Sequence, residues 1–70
     1  MIRDLKSLYV AIVDNEVVVF ETNLKLFIEE LGKIESEIRN YDYYYRQFKK
    51  SSKQSLVNSN SKKYYLQKIL

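Results

Sequence analysis

Seventy residues, 46% of them apolar, are expected to make one small domain spanning 1–70 rather than a disordered tail, and no apolar run nears the roughly 20 residues of a membrane span. The chain has no cysteine, histidine or proline, which excludes disulfides, thiolate metal sites and imidazole general-base chemistry. The net charge of +3 hides a division: residues 1–37 hold a balance of −4, and residues 38–70 hold +7, with Asp42 their single acid.

Such asymmetry predicts a polyanion-facing end. The plainer reading is a solvated basic face that keeps a small protein dispersed. The opening stretch MIRDLKSLYVAIVD has a short apolar patch between Asp4 and Asp14 and no small-residue cleavage site. No signal peptide is expected, and the cytoplasm is the expected location.

Residues 7–13, SLYVAIV, and 17–20, VVVF, are rich in β-branched and aromatic side chains and flank Asp14-Asn15. Those two residues tolerate the left-handed backbone of a tight turn, so the pattern predicts an N-terminal β-hairpin. Alternation places Leu8, Val10 and Ile12 on one face and Tyr9, Ala11 and Val13 on the other, and since both are fairly apolar, one face is expected to pack on helices and the other to be partly covered.

Thr22 or Asn23 is positioned to cap a helix starting at Leu24. Leu24, Phe27, Ile28 and Leu31 recur at i, i+3, i+4 and i+7, one face of a helix. Lys25, Glu29 and Glu30 are expected to face water, and Gly32 stands where helices often end in a left-handed residue.

Residues 33–39, KIESEIR, admit two readings. They form a connector with Ile34 and Ile38 under the core, followed by a new helix capped by Asn40. Alternatively one helix runs from Leu24 to Lys50. In the second case Leu24, Phe27, Leu31, Ile34, Ile38, Tyr41, Tyr45 and Phe48 make a heptad seam, on which a homodimer through residues 24–48 is expected.

The stretch Asn40 to Lys53, NYDYYYRQFKKSSK, concentrates rings and bases. Read as a helix, it places Tyr41, Tyr44, Tyr45 and Phe48 on an inward stripe. Tyr43, Arg46, Gln47 and Lys50 then fall on the opposite side. A ring, a guanidinium, an amide and an ammonium are the groups that touch phosphates and base edges. The same outward ring and guanidinium would equally anchor a protein interface.

After a polar exit at 51–54, Ser55-Leu56-Val57 predicts a short strand and Asn58 to Ser61 a turn. Lys62 to Leu70, KKYYLQKIL, predicts the partner strand, with a helix capped by Asn60 or Ser61 as the alternative. The hairpin tip would hold Lys62 and Lys63. A basic hairpin after a basic helix is the layout of a winged helix-turn-helix; a charged turn protecting a sheet edge is its bland counterpart.

Catalytic groups are not apparent. Glu29, Glu30, Glu35 and Glu37 read as a solvated helical surface. A tyrosine nucleophile drawn from Asp42-Tyr43-Tyr44-Tyr45-Arg46 would need several positioned cations from a larger fold. No glycine-rich phosphate loop or calcium-loop spacing occurs. No enzymatic activity, cofactor or metal is therefore expected.

The segments LYVAIVDNEVVVFE, TNLKLFIEELG and KKYYLQKI, in that order around a second helix, resemble the small modular helix-turn-helix DNA-binding repeats of intron-homing endonucleases. The chain differs from them in lacking small residues in its first helix. Its inter-helix segment, KIESEIRN, is also longer and more acidic. The resemblance implies DNA contacts on the second helix at Tyr43, Arg46, Gln47 and Lys50.

Together these readings predict an α+β domain: an N-terminal hairpin, two helices or one long helix, and a C-terminal hairpin. The expected function is non-catalytic nucleic-acid binding, DNA first. Arg39, Tyr43, Arg46 and Gln47 would contact or approach bases and backbone. Lys49, Lys50, Lys53, Lys62 and Lys63 would neutralise phosphates. The alternative is a small phage- or plasmid-type inhibitor or adaptor that binds a nucleic-acid-processing protein, and no membrane partner is expected.

Overall fold

Asp14 and Asn15 make the first corner of the fold. Both sit at positive φ, 54° and 66°, the backbone of a two-residue type I′ turn. In the computed structural model, which describes residues 7–69, this turn joins β1 (Tyr9–Val13) to β2 (Glu16–Glu21). Then follow α1 (Leu24–Ile34), α2 (Tyr41–Lys50), β3 (Lys53–Val57) and β4 (Lys63–Lys68). The order ββααββ is the expected α+β domain. The last segment is a strand rather than the alternative helix, and Leu70, its expected end, lies outside the described residues.

The two hairpins share one sheet. β1 pairs antiparallel with β4 as well as with β2, giving the order β2-β1-β4-β3. Ala11 stands opposite Val19 on one side and Leu66 on the other. A register shift between Ala11 and Ile12 leaves Val18 as the extra residue of a bulge in β2. Side chains alternate across the sheet, and Tyr9, Ala11, Val13, Tyr64 and Leu66 form its buried face.

Both helices cover that face, α1 over β1 and β2, α2 over β3. The first helix contributes Leu24, Phe27, Ile28 and Leu31, the second Tyr44 and Phe48. The Tyr9 ring joins the layers: its centroid lies 5.8 Å from that of Phe27 and 5.4 Å from that of Phe48, the latter edge-on, a favoured aromatic geometry.

Asn23 caps α1, its side chain accepting from the Leu26 N–H at 3.1 Å. Gly32 does not end the helix. The chain continues to Ile34 and leaves at Glu35 with φ −142°, an extended conformation. Ile34 is 52% exposed rather than tucked under the core, whereas Ile38 is half-buried against it. Asn40 then caps α2, accepting from the Tyr43 N–H at 2.9 Å. The continuous helix is thus replaced by two. The stripe on which a homodimer was expected is not present as one surface: Leu24, Phe27, Leu31 and Phe48 are buried in the domain's own core, while Ile34, Tyr41 and Tyr45 are exposed.

The phase of α2 also differs from expectation. Tyr44 and Phe48 are buried, Tyr43 and Gln47 are half-buried beside them, and Tyr41 and Tyr45 face outward. The stripe nearest the sheet is therefore 43–44–47–48.

Two outcomes follow from this packing. Tyr44→Ala and Phe48→Ala should each cost about 3–5 kcal/mol in chemical denaturation, as truncated core aromatics do. Tyr41→Ala and Tyr45→Ala should stay within about 1 kcal/mol. Gly32→Ala should stabilise the domain by about 0.5–1 kcal/mol, because the glycine is helical without positive φ and an added Cβ would meet only Ile38 Cδ1, at an ordinary 3.5 Å. Urea unfolding curves read all five.

Candidate nucleic-acid interface

The charge division of the sequence becomes a division in space. The acids Glu16, Glu21, Glu29 and Glu30 ride on β2 and α1, at one side of the sheet. The basic residues Arg46, Lys49, Lys50, Lys53, Lys63 and Lys68 ride on α2, β3 and β4 at the other side.

Among the described residues one salt bridge forms, Lys33 to Glu30 at 3.2 Å, on the exposed surface of α1. No cation of the basic half reaches a carboxylate there. Five of them instead lie over tyrosine rings: Arg39 over Tyr43 at 5.0 Å, Lys49 over Tyr45 at 4.5 Å, Lys62 over Tyr64 at 5.6 Å, Lys63 over Tyr65 at 4.9 Å and Lys68 over Tyr9 at 6.0 Å. These are cation–π distances.

The outward surface of α2 carries Tyr41, Asp42, Tyr45, Arg46, Lys49 and Lys50, all exposed. Tyr41 and Tyr45 sit one turn apart with stacked rings, centroids 5.8 Å apart. Lys49 continues that column. Asp42 lies in the first turn and Lys49 and Lys50 in the last, each placed favourably for the helix dipole.

Tyr43 is not displayed as expected. Its ring packs edge-on against Tyr44 at 5.1 Å and forms the wall of a shallow cleft with Glu37, Ile38, Arg39, Asn40 and Arg46. Gln47 is likewise half-buried, and its carbonyl accepts from the Ser51 N–H and from Gln54 Nε2. The expected outward set of Tyr43, Arg46, Gln47 and Lys50 is therefore corrected to Tyr41, Tyr45, Arg46, Lys49 and Lys50. Arg39 stands at the cleft near the start of α2.

The remaining lysines divide. Lys53 and Lys63 alternate with the core-facing Leu56, Tyr64 and Leu66, so they belong to the sheet face opposite the helices. Lys62 lies before β4, in the loop after the 58–61 turn. The structure brings Arg46, Lys49 and Lys50 together and leaves Lys53 and Lys63 on another surface.

Nor is the hairpin tip a free wing. Glu35, expected in solvent, is 6% exposed and clamps it. Its Oε1 accepts from Asn58 Nδ2 at 2.7 Å and its Oε2 from the Glu37 N–H at 2.9 Å. Glu37 in turn accepts from the Ser59 N–H at 2.9 Å and the Ser59 hydroxyl at 2.6 Å. Asn58 Oδ1 accepts from the N–H groups of Asn60 and Lys62. Sequence reading missed this clamp because paired glutamates beside a helix usually face water.

The donors hold the Glu35 carboxyl below its ordinary range, the Asn58 amide most of all, then the Glu37 N–H. Burial pushes the Tyr64 phenol up, helped by the adjacent Glu35, and burial does the same to Tyr44.

No family model, curated protein or solved structure matches this chain. Among the described residues no group of His, Cys, Asp or Glu side chains could hold a metal ion, and no helix is long and apolar enough to cross a membrane.

A folded-state carboxyl held below its unfolded value stabilises the fold above that unfolded value, 4.5, and the contribution disappears as pH falls through the folded value. Glu35→Gln, which presents an amide where two donors converge, should therefore melt lower than the wild type at pH 7. The gap should narrow steadily as pH falls from about 5 to 3. Circular-dichroism melts across that range read it; a gap that does not change with pH would mean that Glu35 is not the ionised acceptor of the clamp.

Proposed function

We propose that this protein is a non-catalytic nucleic-acid-binding domain, acting in the cytoplasm on DNA in the first instance, with α2 as its contact element. One observation carries the reading. Arg46, Lys49 and Lys50 share the exposed surface of one helix with two stacked tyrosines, and none of the three is within ion-pair distance of a carboxylate among the described residues. Lysines of this kind release counterions when they meet phosphates. Arg46 is the group suited to bidentate contact with a phosphate or a guanine edge. Tyr41 and Tyr45 supply planar surface to the sugar-phosphate backbone. Of the contacts implied by the resemblance to modular DNA-binding repeats, Arg46 and Lys50 fall on this surface, while Tyr43 and Gln47 are half-buried.

A second reading, a small adaptor or inhibitor of a nucleic-acid-processing protein, draws support from the same tyrosine pair beside Arg46, since exposed Tyr and Arg are favoured interface anchors. A stoichiometric protein partner that survives nuclease treatment of an extract would favour it.

Anisotropy titrations of a labelled duplex across a salt series test the primary reading. Affinity should fall with salt by about one logarithmic unit per phosphate contact per tenfold salt. Lys49→Ala with Lys50→Ala should reduce that slope by about two while leaving the melting temperature in place. A duplex that does not bind at tens of micromolar in low salt overturns the proposal.

A further inference from the structure

Among the described residues no helix packs on the other face of the sheet; Val10 near its centre is 7% exposed, and the side chains around it are displayed. Phe20 on β2 is 60% exposed and Tyr65 on β4 is 50% exposed. The register places them in neighbouring rows: Phe20 faces Val10, which faces Gln67, and Ile12 faces Tyr65. Two strand spacings, about 10 Å, separate the strands that carry the two rings.

On the β3 side, Lys53 stands opposite Gln67, and Lys63 precedes Tyr65 by two on the same face, its ammonium 4.9 Å from that ring. None of the face's strand positions is acidic: Glu16 pairs with Val13 and Glu21 with Tyr9, on the core side.

We infer that this open face is a binding platform for unpaired nucleotides of a single-stranded nucleic acid, with Phe20 and Tyr65 stacking bases and Lys53 and Lys63 meeting phosphates. An exposed ring gives an unstacked base its π-face without demanding a sequence, and flanking cations track the backbone. Gln67, in the row of Phe20 and next to Tyr65 on the same face of β4, presents both a donor and an acceptor to a base edge.

Charge decides against a second copy as the occupant. Face-to-face pairing of two chains would set Lys53 and Lys63 against their equivalents with no carboxylate on either face to offset them, whereas a polyanion complements them. This surface is distinct from α2, and a duplex, whose bases are stacked away, has nothing to offer the rings.

The test uses the full chain, a labelled oligothymidylate of about ten nucleotides and a duplex, both at low salt. Phe20→Leu and Tyr65→Leu keep apolar bulk on the sheet and remove the π-face. Each should weaken oligothymidylate binding by about 5- to 100-fold with the melting temperature and the duplex affinity unchanged. Arg46→Ala with Lys50→Ala should do the reverse and weaken the duplex more. Three results overturn the platform: no oligothymidylate binding by the wild type at tens of micromolar, binding insensitive to both leucine variants, or a dimer in light scattering that Phe20→Leu dissolves. None of these bears on duplex binding through α2, which stands or falls with the Arg46 and Lys50 variants.

Discussion

The pairing of β1 with β4 is the constraint on which the rest depends. A two-stranded hairpin is marginal in water, and this chain has two of them, separated by both helices. Joined along β1 and β4, they become one four-stranded sheet with a face wide enough to bury α1 and α2 together. Ala11, fully buried at the centre with a neighbouring strand on each side, belongs to that join. The join also brings together the first and last strands, which costs loop-closure entropy that only slowly rises with length. The burial of Phe27, Leu31, Tyr44, Tyr64 and Leu66 offsets it, each apolar side chain contributing about 1.5–3 kcal/mol.

Given that sheet, the helix break at Glu35 has a local cause. A helix continuing through residues 35–40 would leave Glu35 and Glu37 on its surface, and the Asn58 amide nitrogen and Ser59 without these carboxylate acceptors. Breaking it lets two carboxylates accept from the β3–β4 turn, across 22 and 23 residues of sequence. Hydrogen bonds to a charged acceptor are stronger than those between neutral groups, and four of them converge on these two carboxylates. Asn40 makes the restart cheap by capping α2. The clamp thereby fixes both the turn of the sheet and the direction in which α2 leaves.

Much of this was legible in the residues. Asp14-Asn15 specified the first turn, Leu24, Phe27, Ile28 and Leu31 the buried face of α1, and Thr22-Asn23 its capping pair, of which the structure uses Asn23, because each signal is local and chemically particular. The phase of α2 was not legible, for a definite reason. Aromatics at 41, 43, 44 and 45 make every phase apolar, so periodicity alone does not choose among them; packing of Tyr44 and Phe48 against the sheet does. The β1–β4 pairing and the Glu35–Asn58 contact escaped because neither leaves a mark on its own neighbourhood. Of the basic residues, their type pointed to a polyanion, but their division between α2 and the open sheet face depends on strand parity and on where the helices sit.

The five cations poised over tyrosines bear on how such surfaces would work. A cation at an exposed ring gains about 0.5–1 kcal/mol, enough to bias its rotamers and too little to hold it against a better partner. A charge-assisted hydrogen bond to phosphate contributes about 1.5–3 kcal/mol, so exchanging ring for phosphate runs downhill. Carboxylate partners would have reversed that balance, since each would have to be separated from its base before the phosphate could enter. A chain of 70 residues has too small a core to hide seven tyrosines. Tyr45 and Tyr65 are exposed beneath Lys49 and Lys63, an arrangement that keeps those lysines charged, partly ordered and free of carboxylate partners among the described residues.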